Sequence, residues 1–323
     1  MIYKKCLKGG LNMALYNNVR QLIGNTPLME ITHIKIPNNC RIFAKLEYLN
    51  PGGSVKDRLG ISLLEDAENR GVIRPGSTII EATAGNTGIG LALAAIGKKY
   101  HVKFVVPEKF SQEKQTLMKA LGAEIINTPT AFGMHGAIKK VNELLEEIPD
   151  SFSPSQFSNP VNPATYEYTL GPEIWKDLDG NLDVFVAGAG SGGTFMGTAR
   201  YLKSQKATLK TVIVEPVGSI LNGGKVASHV TEGIGMEFLP NYMEKSYFDA
   251  IHTIQDKDAF HALKELAKKE GLLVGSSAGA AFHAALLEAQ VAKPGSNIVT
   301  IFADSSERYL SQSIYELFEE GSV

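Results

Sequence analysis

The chain reads as an α/β protein made of two open, twisted, mostly parallel sheets with helices on both faces. Three observations carry this reading. Short β-branched runs alternate with longer helical stretches from about residue 79 onward, glycine-rich loops sit between a strand and the next helix, and the pattern occurs twice along the chain.

In the first half, residues 78–81, 102–106 and 124–126 are expected as strands. Helices are expected over 87–98 and 112–121, the second stopped by Gly122 where a left-handed cap belongs. In the second half, strands are expected over 183–187, 211–215 and 297–303, with helices over 193–204, 256–270 and 278–292. The Ser-, Pro- and Asn-rich stretch 149–163 reads as a hinge. It separates an N-terminal half, 13–160, whose first segment is free to cross over, from a C-terminal half, 161–323. Ligands of such sheets lie beyond the carboxyl ends of the strands, so the loops there are expected to carry function.

The 323 residues are enough for about two domains with real cores. Basic and acidic residues number 32 and 34, a formal charge of −2, so there is no global attraction to nucleic acid or to an anionic membrane. With 44% hydrophobic and 20% charged residues, a disordered chain is not expected. Glycine is frequent, 32 residues against a usual share of about 7%. Only Cys6 and Cys40 occur, without metal or disulfide spacing, which fits a reducing, cytoplasmic setting and no metal site. No run approaches the ~18 apolar residues of a membrane span. The segment before Met13 lacks the apolar core of a signal peptide, so residues 1–12 read as a disordered lead-in or a mis-called start.

Four loops offer chemistry. The first, Asn50-Pro51-Gly52-Gly53-Ser54-Val55-Lys56-Asp57-Arg58, feeds a helix running to about Arg70. A cation at a helix N-terminus opposes the macrodipole by about half a kcal/mol, so Lys56 breaks a local rule of the kind that function often breaks. The same field, with burial, lowers an amine's pKa, which an imine-forming or proton-shuttling lysine requires. A solvated surface lysine is the plain alternative, and this loop alone leaves both open.

The second loop, Glu81-Ala82-Thr83-Ala84-Gly85-Asn86-Thr87-Gly88, places hydroxyls, an amide and free N–H groups at a helix start, a neutral cradle for a carboxylate. A capped strand-to-helix turn is the competing reading. In the third loop, Gly188-Ala189-Gly190-Ser191-Gly192-Gly193-Thr194 forms a nest suited to a phosphate. It also fits G-x-G-x-x-G, with Glu215 placed where a ribose-binding acid belongs, so a nicotinamide oxidoreductase is a competing function. A triphosphate loop around Gly223-Gly224-Lys225 is less plausible, because Val226 follows and Ser219 stands where glycine is required. The fourth loop, Gly275-Ser276-Ser277-Ala278-Gly279, fits G-x-S-x-G, but the last histidine, His283, precedes every candidate acid, so the hydrolase order fails. Ser277 then offers its hydroxyl to a bound ring or phosphate, or caps the next helix.

One cofactor needs all four loops. Pyridoxal 5'-phosphate requires a lysine for its aldehyde, an N–H nest for its phosphate, a group to position its ring and a cradle for the substrate carboxylate. A nicotinamide enzyme leaves Lys56 and the Asn86 loop unexplained. From Leu22-Ile23-Gly24-Asn25-Thr26-Pro27-Leu28 to about residue 305, these motifs resemble the fold-type II pyridoxal-phosphate enzymes of the cysteine synthase and cystathionine β-synthase group, which share the tryptophan synthase β-like fold.

The resemblance implies that Lys56 forms the internal aldimine and, once freed, moves the Cα proton as general base. It implies that Asn86 meets the ring oxygen, that Gly190, Ser191, Gly192, Gly193 and Thr194 hold the phosphate, and that Ser277 meets the pyridine nitrogen. Thr83, Ala84, Gly85, Asn86 and Thr87, with Gln156 of Ser155-Gln156-Phe157, are similar to the family's substrate-carboxylate site, a loop expected to close over the amino acid. A homodimer is implied as well.

Ala84 stands where serine is usual, and Glu237 lies in Gly233-Ile-Gly-Met-Glu-Phe-Leu-Pro240. That combination is similar to bacterial cystathionine β-synthases that use O-acetylserine. Homocysteine has an ammonium group that a carboxylate at the site mouth recognises and sulfide has none, which makes Glu237 a candidate selectivity residue; a solvent-facing glutamate is the alternative. The expected reaction is β-replacement on O-acetylserine or serine by homocysteine, with sulfide as the alternative thiol. A non-catalytic partner of another sulfur-assimilation enzyme is the reading from a different class. The length leaves no room for an appended regulatory domain, no Cys-Pro plus histidine arrangement near the N-terminus suggests haem, and the partners expected are small amino-acid substrates.

Overall fold

The computed structural model describes residues 15–83, 85–108 and 111–318. Ala84, Cys6, Met13 and the proposed lead-in 1–12 lie outside the described residues.

In chain order, β1 (Leu28–Glu30) and β2 (Arg41–Leu46) precede α1 (Lys56–Asn69), β3 (Thr78–Ala82), α2 (Asn86–Ala95), β4 (His101–Pro107), α3 (Gln112–Ala120) and β5 (Glu124–Thr128). Then come α4 (Gly133–Glu147), β6 (Ser151–Phe152), α5 (Val161–Tyr168), α6 (Leu170–Asp177), β7 (Val184–Gly188), α7 (Gly193–Gln205) and β8 (Lys210–Pro216). β9 (Ala250–Ile254), α8 (Asp256–Glu265), α9 (Ser276–Val291) and β10 (Asn297–Phe302) complete the order.

The strands form two sheets, a six-stranded one ordered β1-β2-β10-β7-β8-β9 and a four-stranded one ordered β5-β4-β3-β6. The β1–β2 pair is antiparallel and every other described pair is parallel. β10 is buried along its whole length between β2 and β7, as expected of a parallel strand covered on both faces. All six strands anticipated from β-branched runs are present. β1, β2, β6 and β9 were not anticipated: β1 and β6 are too short to show a period, and β9 carries His252 and Thr253 on an edge. The helix expected over 87–98 stops at Ala95, where Gly97 and Lys99 adopt left-handed φ values of 77° and 60°. The helix expected over 256–270 changes character after Glu265, and its last turn widens into a π-helix over Leu266–Glu270.

Two helices deliver the site. α1 buries Leu59, Leu63 and Ala67 at helical spacing against the core shared by the sheets. It crosses α2 where neither helix has a side chain: a Cβ on Gly60 would lie 2.2 Å from the Gly90 carbonyl, and one on Gly90 would lie 2.4 Å from the Lys56 carbonyl oxygen. This approach sets the first turn of α1, with Lys56, beside the helix that Asn86 opens.

Candidate active site

Lys56 is the first residue of α1 and lines a pocket with Gly188, Gly190, Gly192, Thr194, Gly233, Ile234, Ser277 and Ala303. The pocket lies at the carboxyl ends of β7 and β10, where an open α/β sheet places its ligands. Burial lowers the Lys56 amine to about 8, and the nearby Asp304 carboxylate opposes that fall. The amine therefore has an appreciable neutral fraction near neutral pH, as a nucleophile or proton carrier needs.

The glycine loop reaches α7 through Gly192, whose φ of 83° lies in the left-handed region and turns the chain into the helix. Its packing leaves no room for side chains, since a Cβ on Gly190 would stand 2.4 Å from the Gly233 carbonyl oxygen and one on Gly193 would stand 1.9 Å from Asn162 Oδ1. The open N–H groups at the start of α7 face the pocket as an anion cradle. Ser277, in the first turn of α9, is buried and faces the same cavity. An amine held near neutrality, a nest of N–H groups and a hydroxyl in one pocket fit the aldehyde, phosphate and ring of pyridoxal phosphate.

The described residues of the second loop do not line this pocket, but the loop is tied through Asn86 to Asp304, the neighbour of the lining residue Ala303. Thr87 donates a 2.7 Å hydrogen bond to Gln156 Oε1, joining two of the residues singled out for carboxylate binding. Thr83 Oγ1 accepts from the backbone N–H groups of Gly85 and Gly88, each at 3.2 Å, so this hydroxyl also builds the turn. Asn86 donates from Nδ2 to Asp304 Oδ2 at 2.7 Å and accepts at Oδ1 from Arg308 Nη1 at 2.7 Å. Glu237 stands apart on the exposed face of its loop, 4.0 Å from His135 Nε2.

Glu215 answers the nicotinamide reading. It is fully buried, and its oxygens accept from Leu221 N at 2.8 Å, Asn222 N at 3.0 Å and the Thr253 hydroxyl at 2.9 Å. It ties the fold together and presents nothing to a ribose.

Sequence reasoning missed Asp304, Arg308, Asn162 and Tyr242. Asp304 and Arg308 follow the carboxyl end of β10, and the rule that ligands gather there was the available signal. Asn162 and Tyr242 carried none, because their importance lies in what folding brings to them.

Comparison with known proteins settles the family. The family described as "Pyridoxal-phosphate dependent enzyme" matches residues 19–304. The chain belongs to it. An "O-acetylserine dependent cystathionine beta-synthase" of Bacillus subtilis strain 168 is 59% identical over 306 residues, 94% of this chain and 99% of the relative. A "Cysteine synthase" of Helicobacter pylori strain ATCC 700392 / 26695 is 56% identical over 307 residues, 94% of this chain and 100% of the relative. Among solved structures, the O-acetylserine dependent cystathionine beta-synthase from Helicobacter pylori superposes with a TM-score of 0.91 at 56% identity, covering 94% of this chain and 100% of that one. This pyridoxal-phosphate dependent enzyme thus has the fold-type II architecture of two mostly parallel sheets. Among the described residues, no helix is long and apolar enough to cross a membrane.

Proposed function

We propose that this pyridoxal-phosphate dependent enzyme replaces the β-substituent of O-acetyl-L-serine, or of L-serine, with a thiol, and that L-homocysteine is that thiol, giving L-cystathionine. The observation that carries the proposal is the convergence of Lys56, the Gly190–Thr194 loop and Ser277 on one pocket. The relatives' names supply the chemistry this pocket is compared with.

When bound, pyridoxal phosphate supplies an electron sink that stabilises negative charge at the substrate Cα. The chain's own residues do the rest. Lys56 Nζ, which lines the pocket, would hold the cofactor at rest and, when free, would carry a proton away from and back to the substrate Cα. Burial lowers that nitrogen's basicity so that it is not permanently charged, while Asp304 opposes the fall. The N–H groups at the start of α7 hold the phosphate, with the Thr194 and Ser191 hydroxyls beside them. Ser277, which lines the pocket, would meet the ring nitrogen with its hydroxyl. A neutral hydroxyl does not keep that nitrogen protonated as a carboxylate would, so electron withdrawal is weaker and prompt departure of the β-substituent is favoured over transamination or racemisation.

Thr83, Gly85, Asn86, Thr87 and Gln156 receive the substrate carboxylate, with Ala84 between them in the chain. Asn86 would offer the ring oxygen its second amide N–H, since the first is given to Asp304 Oδ2 and Oδ1 accepts from Arg308. Glu237, exposed on its loop, would pair with the homocysteine ammonium, which sulfide lacks. Sulfide as the thiol, giving cysteine, is the second reading, favoured by the relative named cysteine synthase. Residues 13–160 carry the lysine and the carboxylate loop, and residues 161–323 carry the phosphate loop. We further propose that the enzyme works as a cytoplasmic homodimer.

The test supplies O-acetylserine with homocysteine and sulfide in competition and measures cystathionine and cysteine together. Cystathionine in excess is expected. Cysteine alone moves the proposal to the second reading, and neither product overturns it.

A further inference from the structure

Gln156 is gripped from two directions. On one side, buried Glu81 of β3 accepts from Gln156 N at 3.1 Å, from Ser155 N at 2.8 Å and from the Ser153 hydroxyl at 3.0 Å, while the Gln156 side chain meets Thr87. On the other side, the Gln156 carbonyl oxygen accepts from Asn162 Nδ2 at 2.8 Å and from the Tyr242 hydroxyl at 3.0 Å.

Asn162 and Tyr242 also reach the glycine loop. Tyr242 lies 2.9 Å from the Ser191 carbonyl oxygen, so one hydroxyl proton serves two carbonyls, and Asn162 Nδ2 lies 3.1 Å from both Ser191 Oγ and the Tyr242 hydroxyl. Three oxygens around Nδ2 fix which way the Asn162 amide faces and leave its Oδ1 against Gly193, buried and without a hydrogen bond. Gln156, Asn162, Ser191 and Tyr242 are 4%, 0%, 5% and 8% exposed, so water is not at hand to replace a broken bond.

We propose that Asn162 and Tyr242 are positioning residues that couple the carboxylate end of the site to the phosphate end. A carboxylate held at Gln156 immobilises that residue's backbone, and the shared hydroxyl and amide then hold the Ser191 backbone against the phosphate. The proposal rests on the reading of Gln156 as a carboxylate contact. Coupling of this kind is reciprocal, so each ligand tightens the other by the same factor.

The experiment follows loss of pyridoxal phosphate from the holoenzyme to a scavenging apoprotein, with and without propionate. Propionate carries the carboxylate but no amine, so it cannot displace Lys56. In the unmutated enzyme propionate is expected to slow cofactor loss by about fivefold, the lower end of ordinary coupling. In Tyr242→Phe, which keeps the ring and loses the hydroxyl, that factor falls to near one. A merely structural tyrosine lowers the unfolding midpoint and leaves the factor intact, and an unchanged factor overturns the proposal. So does an unmutated enzyme that binds propionate with no slowing. Should Tyr242→Phe fail to fold, Asn162→Asp exchanges the amide donor for an acceptor at constant size and is read the same way. Gln156→Ala separates the two ideas: propionate bound equally well by this variant overturns the carboxylate reading, and the coupling with it.

Discussion

Asn86 and Asp304, 218 residues apart in sequence, meet in a 2.7 Å hydrogen bond from Nδ2 to Oδ2. The same Asp304 oxygen accepts the Tyr309 hydroxyl, while Arg308 bonds both Asn86 Oδ1 and the Gly52 carbonyl. The short segment after β10 therefore ties the Asn86 loop to the loop that presents Lys56. Asp304→Asn keeps the size and removes the charge that favours the Lys56 ammonium. The amine of the variant is expected to titrate below about 8. Labelling of Lys56 by an amine reagent across pH, in cofactor-free chain, reads the midpoint directly, and an unmoved midpoint contradicts the assignment.

Lys56 carries a stability cost of defined pH dependence. Its folded-state pKa is depressed from 10.5 to about 8, so the unfolded chain binds more protons between those values and stability rises with pH across that window. Below about pH 8 the buried ammonium is retained at a cost. Lys56→Met is expected to raise the melting temperature of cofactor-free protein at pH 7, with the gain shrinking as the pH approaches 10.5. Melts at several pH values check this, and a gain that does not change with pH counts against it.

Arg58 is expected to be the most damaging single loss near the site. Its guanidinium makes paired bonds of 2.8 Å to each oxygen of buried Glu47 and of 2.7 Å to each oxygen of Glu173. Burial pushes the Glu173 carboxyl up, yet Arg58 overrides it and holds it down at about 2. Arg58→Met strands the Glu47 charge in the interior, a loss of about 3–5 kcal/mol. The denaturation midpoint should fall accordingly, and a change below about 1 kcal/mol, the range of exposed pairs, would falsify the account.

Glu237 is half exposed, so its pull on a substrate ammonium is worth about 1 kcal/mol, or roughly fivefold. Glu237→Ala is expected to lower the ratio of kcat/KM for homocysteine to that for sulfide by about this factor, mainly through KM. Equal ratios before and after substitution return Glu237 to the solvent-facing reading.

The candidate site was legible where local chemistry is unusual. A lysine opening a helix and a run of glycines between strand and helix break local preferences, and such breaks are visible in a linear chain. Asn162 breaks nothing locally. It is an ordinary polar residue near the start of α5 whose value comes from Ser191 and Tyr242, 29 and 80 residues away. Glu215 shows the opposite case, a residue whose motif position suggested a ligand while its oxygens were already committed to Leu221, Asn222 and Thr253.

The alternation of strand and helix, the left-handed glycine turns and the four candidate loops were legible in the linear chain, because each depends on residues within a few positions of one another. The tertiary structure alone decided that β2 lies against β10, that α1 and α2 close on paired glycines, and that Gln156 and Ser191 share the Tyr242 hydroxyl. Those are choices among distant partners. They depend on which surfaces fill space and satisfy hydrogen bonds together, a condition that no window of sequence contains.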